Sequence, residues 1–210
     1  MSKLREVCAG ASLFHELYEL LQSVESRERL RAVLIKTYFA SEIQPVIADQ
    51  GNVNLAAYEY GQQLLNELKE SVEWGEKVRD EKPGKVRDQG FRKAIVSLYE
   101  HRCALCGIRM LTPEGHTIVE AAHIVPWHET QDDSPTNGLC LCRLCHWSFD
   151  EGLMSVGKKY EVLVSKRVQS DRNMPGHVLT LMDRPIFKPE KETFWPSQVN
   201  LSRHRKGILK

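Results

Sequence analysis

Apolar residues recur every three or four positions through the first third of the chain. Phe14, Leu17, Leu21 and Val24 mark one stripe over residues 12–24, with Ser12 placed to cap it. Leu30, Val33, Leu34 and Tyr38 mark a second over 26–39, after Ser26. Leu55, Tyr58, Leu65, Leu68 and Val72 mark a third, opening at Asn54. This spacing predicts three amphipathic helices within residues 1–72, with the Tyr and Leu stripes as ordinary core. The region is expected to serve packing or dimerisation rather than catalysis. Residues 73–89 are charged around Pro83-Gly84 and are expected to form a linker. Asp88 is expected to cap a fourth helix carrying Phe91, Ile95, Leu98 and Tyr99, which leads directly into Cys103.

The period shortens after Cys103. Ile108 and Ile118–Val119 read as short strands joined by a turn at Thr112-Pro-Glu-Gly115. Residues 132–137 read as a loop and 141–151 as a short helix. Met154–Val156 and Tyr160–Val164 read as a hairpin through Gly157-Lys-Lys. Residues 172–196 contain four prolines and show weak periodicity, and 198–209 predicts a final basic helix. The class is α+β. The expected divisions are 1–72 helical, 73–89 linker, 90–165 the chemical domain and 166–210 a basic extension.

Charge sharpens this picture. Net charge is +1, but residues 111–152 hold seven acids and one base, whereas 153–210 hold twelve bases and five acids. A cation-binding segment followed by a basic arm suits metal-dependent work on a polyanion. Arg203, Arg205, Lys206 and Lys210 are the candidate nucleic-acid contacts. A solvated tail, or one packed on the domain through Ile208 and Leu209, is the competing reading. No apolar run approaches the roughly 20 residues that a membrane-spanning helix needs. The N-terminal residues lack a signal-peptide apolar core, so a cytoplasmic location is expected.

Five of the six cysteines fall between Cys103 and Cys145, and Cys8 stands apart. A disulfide framework would spread its cysteines along the chain. Two Cys-x-x-Cys turns instead place four thiolates on one cation, so Cys103, Cys106, Cys142 and Cys145 predict a closed structural Zn2+ site. Cys140 would compete with Cys142 on an extended backbone, but Cys142 has the better spacing to Cys145. Cys140 is therefore expected to be a small buried hydrophobe.

Between and after these turns stand Ala122-His123-Ile124-Val125-Pro126, Asn137-Gly138-Leu139 and His146-Trp147-Ser148-Phe149-Asp150. Their order resembles that of the HNH nucleases, whose core is the ββα-metal fold, from about Phe91 to Val164. It is closest to a bacterial branch resembling restriction endonucleases. The resemblance implies a metal-dependent DNA endonuclease with a role in restriction or defence. An unperturbed imidazole titrates near neutral pH, so His123 can serve as general base. His146 and Asp150, four apart on a helix, face one side and can share one Mg2+ or Mn2+. By resemblance, Asn137 holds the loop and orients His123 rather than binding metal. His123, Asn137 and His146 are thus the expected catalytic residues.

One departure stands out. Many HNH sequences carry a metal ligand just before the general base, and here that position is Ala122. Glu120, on the same strand face, is the candidate substitute. The implied partner is double-stranded DNA. Cutting both strands with one site per chain calls for two copies, so a homodimer is expected, with the N-terminal helices as its interface. The rival readings are a non-catalytic zinc-containing DNA-binding module and a helical interaction protein with a degenerate nuclease domain.

Overall fold

The computed structural model describes residues 12–69, 83–170 and 176–210. Cys8, and the expected linker from 73 to 82, lie outside them. The chain divides into two compact units, Met1–Val53 and Asn54–Lys210.

The first unit contains α1 (His15–Gln22), α2 (Val24–Tyr38) and the start of α3 (Gln44–Lys69). Ser23 caps α2 by accepting from the Ser26 amide, so the cap precedes the expected Ser26. Phe14, not Ser12, precedes α1. α3 begins ten residues before Asn54. Its Pro45 lies in the first turn, where the missing N–H costs nothing. The stripes expected to be core lie mainly on the surface. Phe14, Val33, Leu34 and Tyr38 are exposed, whereas Ile35 is buried.

The second unit is organised by close helix packing on a two-stranded sheet. α4 spans Gly84–Leu98, so residues 84–89 of the expected linker are helical and Asp88 lies inside the helix rather than capping it. Its contact with α3 runs through small residues. A Cβ on Gly61 would sit 2.9 Å from the Gly90 carbonyl oxygen, and one on Gly90 would sit 2.8 Å from that of Ala57. Phe91, Ile95 and Tyr99 carry the buried side of α4 onto the sheet.

That sheet pairs β1 (Val119–His123) with β2 (Gly138–Cys142), antiparallel, from Val119 opposite Cys142 to His123 opposite Gly138. The expected hairpin across Thr112–Gly115 is reduced to an isolated bridge between Leu111 and Thr117. The extended partner of Val119 is Cys142, 23 residues later, since β2 is apolar enough to be buried along its whole length. α5 (Trp127–Thr130) and a 3-10 turn (Pro135–Asn137) connect the strands, and α6 (Arg143–Asp150) follows directly.

β3 (Met154–Val156) and β4 (Val162–Val164) form the predicted hairpin. Two short helices follow, α7 (Lys166–Ser170) and α8 (Gly176–Leu179), then a 3-10 turn at Glu192–Phe194. The closing helix, α9 (Gln198–Gly207), packs against β3 with Leu201 and His204 buried. The chain end then docks on the turn after α6. Lys210 N–H donates to the Gly152 carbonyl at 2.9 Å, and Gly152 holds φ +67° where a Cβ would collide with the Ile208 carbonyl. The basic extension is therefore an integral layer of the domain and not a free arm.

Candidate active site and metal centres

The four predicted cysteines converge. Cys103 and Cys106 lie on the loop after α4, Cys142 ends β2 and Cys145 opens α6. Their sulfurs all lie within 4.8 Å of one another. The Cys106 and Cys142 sulfurs are 3.7 Å apart. A tetrahedral zinc with Zn–S bonds of about 2.3 Å requires sulfur edges of about 3.8 Å, so the donor set fits that ion. Hydrogen bonds among the thiols draw Cys103 down to about 7 and pull Cys142 lower still. The same network pushes Cys106 and Cys145 up. Four thiols this close cannot all ionise without a cation among them. Cys140 lies outside the cluster, fully buried in β2, and burial pushes its thiol up to about 12. It is core, as its spacing predicts. Among the described residues these four cysteines form the one group that closes to metal-binding distance.

β1 presents two chemistries on two faces. Glu120 and Ala122 point to one side and His123 to the other, because strand side chains alternate. On the first side, Glu120 meets α6. One of its oxygens accepts from Arg143 Nε at 3.1 Å, and the other lies 3.5 Å from His146 Nδ1. His146 Nε2 lies 3.4 Å from Asp150. His146 thus stands between two carboxylates and offers a different nitrogen to each. One ion cannot use both nitrogens of a ring, so shared coordination requires a carboxylate to swing around it. Burial raises the Asp150 carboxyl above its ordinary range, and His146 opposes that shift. Ala122 is buried and supplies no donor.

On the other side, the His123 ring lies parallel to Phe91, with centroids 3.9 Å apart and planes at 7°. Its Nε2 lies 2.8 Å from Oδ1 of Asp133. Asp133 is only 2% exposed, and accepts from Tyr60 Oη at 3.0 Å and from Arg87 Nη1 at 3.3 and 3.4 Å. The Arg87 guanidinium in turn stacks 3.8 Å from the Trp127 ring centroid and pairs with Asp88. Asp133, Tyr60 and Arg87 had no sequence signal. Asp133 is one of two adjacent acids in a loop, and Tyr60 stands 73 positions away from it.

Asn137 is fully buried with its amide saturated. Oδ1 accepts from the Val125 amide and from Asn200 Nδ2, each at 3.0 Å. Nδ2 donates to the carbonyls of Val125 at 3.0 Å and Asp132 at 2.9 Å. This arrangement clasps the loop between β1 and β2. Asn200, from α9, completes it and was not foreseen.

The four basic residues of the tail are largely engaged within the domain. Arg203 pairs with Glu129 at 2.6 Å, Arg205 donates to the Val156 carbonyl at 2.6 Å, and Lys210 lies 3.6 Å from Glu151. Lys206 is exposed. These basic side chains sit on a packed helix and its docked chain end rather than on a free arm, because Leu201 and His204 give the helix a buried side, and Arg203, Lys206 and Lys210 remain exposed.

No helix among the described residues is long and apolar enough to cross a membrane. No curated protein matches the chain. Among solved structures, a modification-dependent TagI restriction endonuclease is similar at 21% identity with a TM-score of 0.44, over 64% of this chain and 45% of its own length. The chain thus spans less than half of that protein. Residues 103–157 match the sequence model of the HNH endonuclease family, a family whose nucleases use divalent metals. That segment runs from the first zinc-type cysteine through β1, β2 and α6 to the end of β3, so the match to the HNH endonuclease family falls on the strands, helix and four cysteines that build the candidate site.

Proposed function

We propose that this protein is a metal-dependent endonuclease that hydrolyses phosphodiester bonds in double-stranded DNA and serves restriction or defence. The observation that carries the reading is the placement of the three HNH motifs on one ββα element stapled by four thiols. His123 is the general base, Asn137 clasps its loop, and His146 with Asp150 holds a divalent ion, with Glu120 in reach from β1. A carboxylate–imidazole donor set completed by waters suits Mg2+ or Mn2+, which when bound would polarise the phosphate and neutralise the leaving oxygen. The thiolate set selects zinc and has no open position, so its role is to hold the loop after α4 against β2 and α6. Residues 1–72 are the proposed interface for a second copy, and 90–165 the catalytic domain. Contact with the DNA backbone falls to the exposed side chains of Arg203, Lys206 and Lys210 rather than to Arg205.

A plasmid-cleavage assay with magnesium, manganese or a chelator tests this reading. Cleavage that requires the ion, and that falls about 10²–10⁴-fold in His123→Ala with DNA binding retained, is expected. DNA binding with no cleavage under any ion would instead favour a non-catalytic zinc-containing DNA-binding module; neither binding nor cleavage would favour a helical interaction protein with a degenerate nuclease domain, for which the missing ligand at Ala122 is the argument.

A further inference from the structure

We propose that Asp133 is the positioning residue that sets the tautomer and orientation of His123, with Tyr60 and Arg87 holding Asp133 in its charged form. This rests on the reading of His123 as general base. An ionised carboxylate only accepts, so the 2.8 Å contact requires Nε2 to carry the ring proton. The lone pair then sits on Nδ1, the nitrogen left to take a proton from water. Phe91, parallel at 3.9 Å, fixes the plane of the ring, and the contact with Asp133 fixes its direction within that plane.

The anion itself is compensated. A buried carboxylate without partners would be neutralised rather than remain charged. Here Arg87 donates to both oxygens and Tyr60 to one. Asp132 adds a second acid beside the ring, held back from ionising by burial. Tyr60 comes from α3, an element with no residue in the matched HNH segment. The nuclease domain thus draws the support of its base from outside the family's motifs.

In the reaction, the water oxygen forms a new bond to phosphorus and the bond to the leaving sugar oxygen breaks. The water's proton ends on Nδ1, and the leaving oxygen takes a proton from solvent. Asp133 stays ionised throughout and stabilises the imidazolium, without receiving a proton itself.

The test uses the full chain with its zinc. Asp133→Asn is isosteric, but its amide can donate to Nε2 and so select the opposite tautomer. Single-turnover cleavage is expected to fall about 10²–10⁴-fold while DNA affinity stays within about twofold. Nitrogen-15 spectra of the histidines should show His123 protonated on Nε2 in the wild type and shifted toward Nδ1 in D133N. Tyr60→Phe should slow cleavage about 3- to 10-fold by removing one donor, and it carries the test if D133N fails to fold or loses zinc. In a His123→Ala background, D133N should cost nothing further. Wild-type rates in D133N, a wild-type His123 protonated on Nδ1, or an undiminished D133N effect without His123 would each overturn the proposal. If His123→Ala itself cleaves normally, the general-base reading fails first, and the positioning role fails with it.

Discussion

Acid should loosen the domain through His204, and the size of the effect follows from its surroundings. His204 is 3% exposed, behind α6. Its ring stacks on Phe149 at 3.6 Å, its Nε2 donates to the Phe149 carbonyl at 3.0 Å, and its Nδ1 accepts from the Ser155 hydroxyl at 2.9 Å. Both nitrogens are therefore used in the neutral form, and a proton on Nδ1 would displace the Ser155 donor. Burial first, then the Arg205 charge, lowers its pKa from 6.5 to about 4, while the Phe149 carbonyl pulls the other way. The unfolded chain then binds the extra proton first. Stability is level above about pH 6.5, falls as pH drops through the window, and levels again below about pH 4. At about 1.4 kcal/mol per pH unit, the full window is worth about 3 kcal/mol, of which about 2 kcal/mol is lost by pH 5. The assay is urea denaturation at about pH 7 and about pH 5, with zinc in excess, for the wild type and His204→Gln. Glutamine can donate to Phe149 and accept from Ser155 but does not titrate. It should be less stable at neutral pH from lost stacking, yet lose about 2 kcal/mol less on acidification. Acid release of zinc affects both proteins and cancels in the difference. Equal pH slopes would refute the linkage to His204.

Cys145→Ser should purify without zinc and largely unfolded, since structural zinc contributes folding free energy on the order of 10 kcal/mol; metal analysis and circular dichroism report it. Deleting residues 198–210 should lower the melting temperature, because Leu201, His204 and Asn200 leave buried partners behind. If instead it only flattens the salt dependence of DNA binding, the tail is an arm after all. His146→Ala and Asp150→Asn should lose ion-dependent cleavage yet keep a full zinc complement, and zinc loss from either would merge the two sites.

The cysteine spacing and the three motifs were legible in the chain because they are local. A Cys-x-x-Cys turn brings two sulfurs together within four residues, and a helix brings His146 beside Asp150 within one turn. The hairpin of β3 and β4 and the final helix were legible for the same reason. The pairing of β1 with β2 was not. Local turn chemistry at Thr112–Gly115 suggested a nearer partner, and burial of a wholly apolar Gly138–Cys142 outweighed it. Likewise the closing helix reads as basic, and only its packing shows that Leu201 and His204 form a buried side spaced three apart. The surroundings of His123 lie furthest from sequence reasoning. Periodicity identifies the strand on which His123 sits, and the motif identifies the histidine. Its Asp133, Arg87, Phe91 and Tyr60 neighbours come from a loop and two helices, and none carries a spacing rule relative to it. The sequence by itself determined which residues can do the chemistry, because donor type and local spacing are properties of the chain. Which nitrogen of His123 is free, and which surface the tail covers, were decided only when long-range packing buried a charge and forced every neighbouring polar atom to pair.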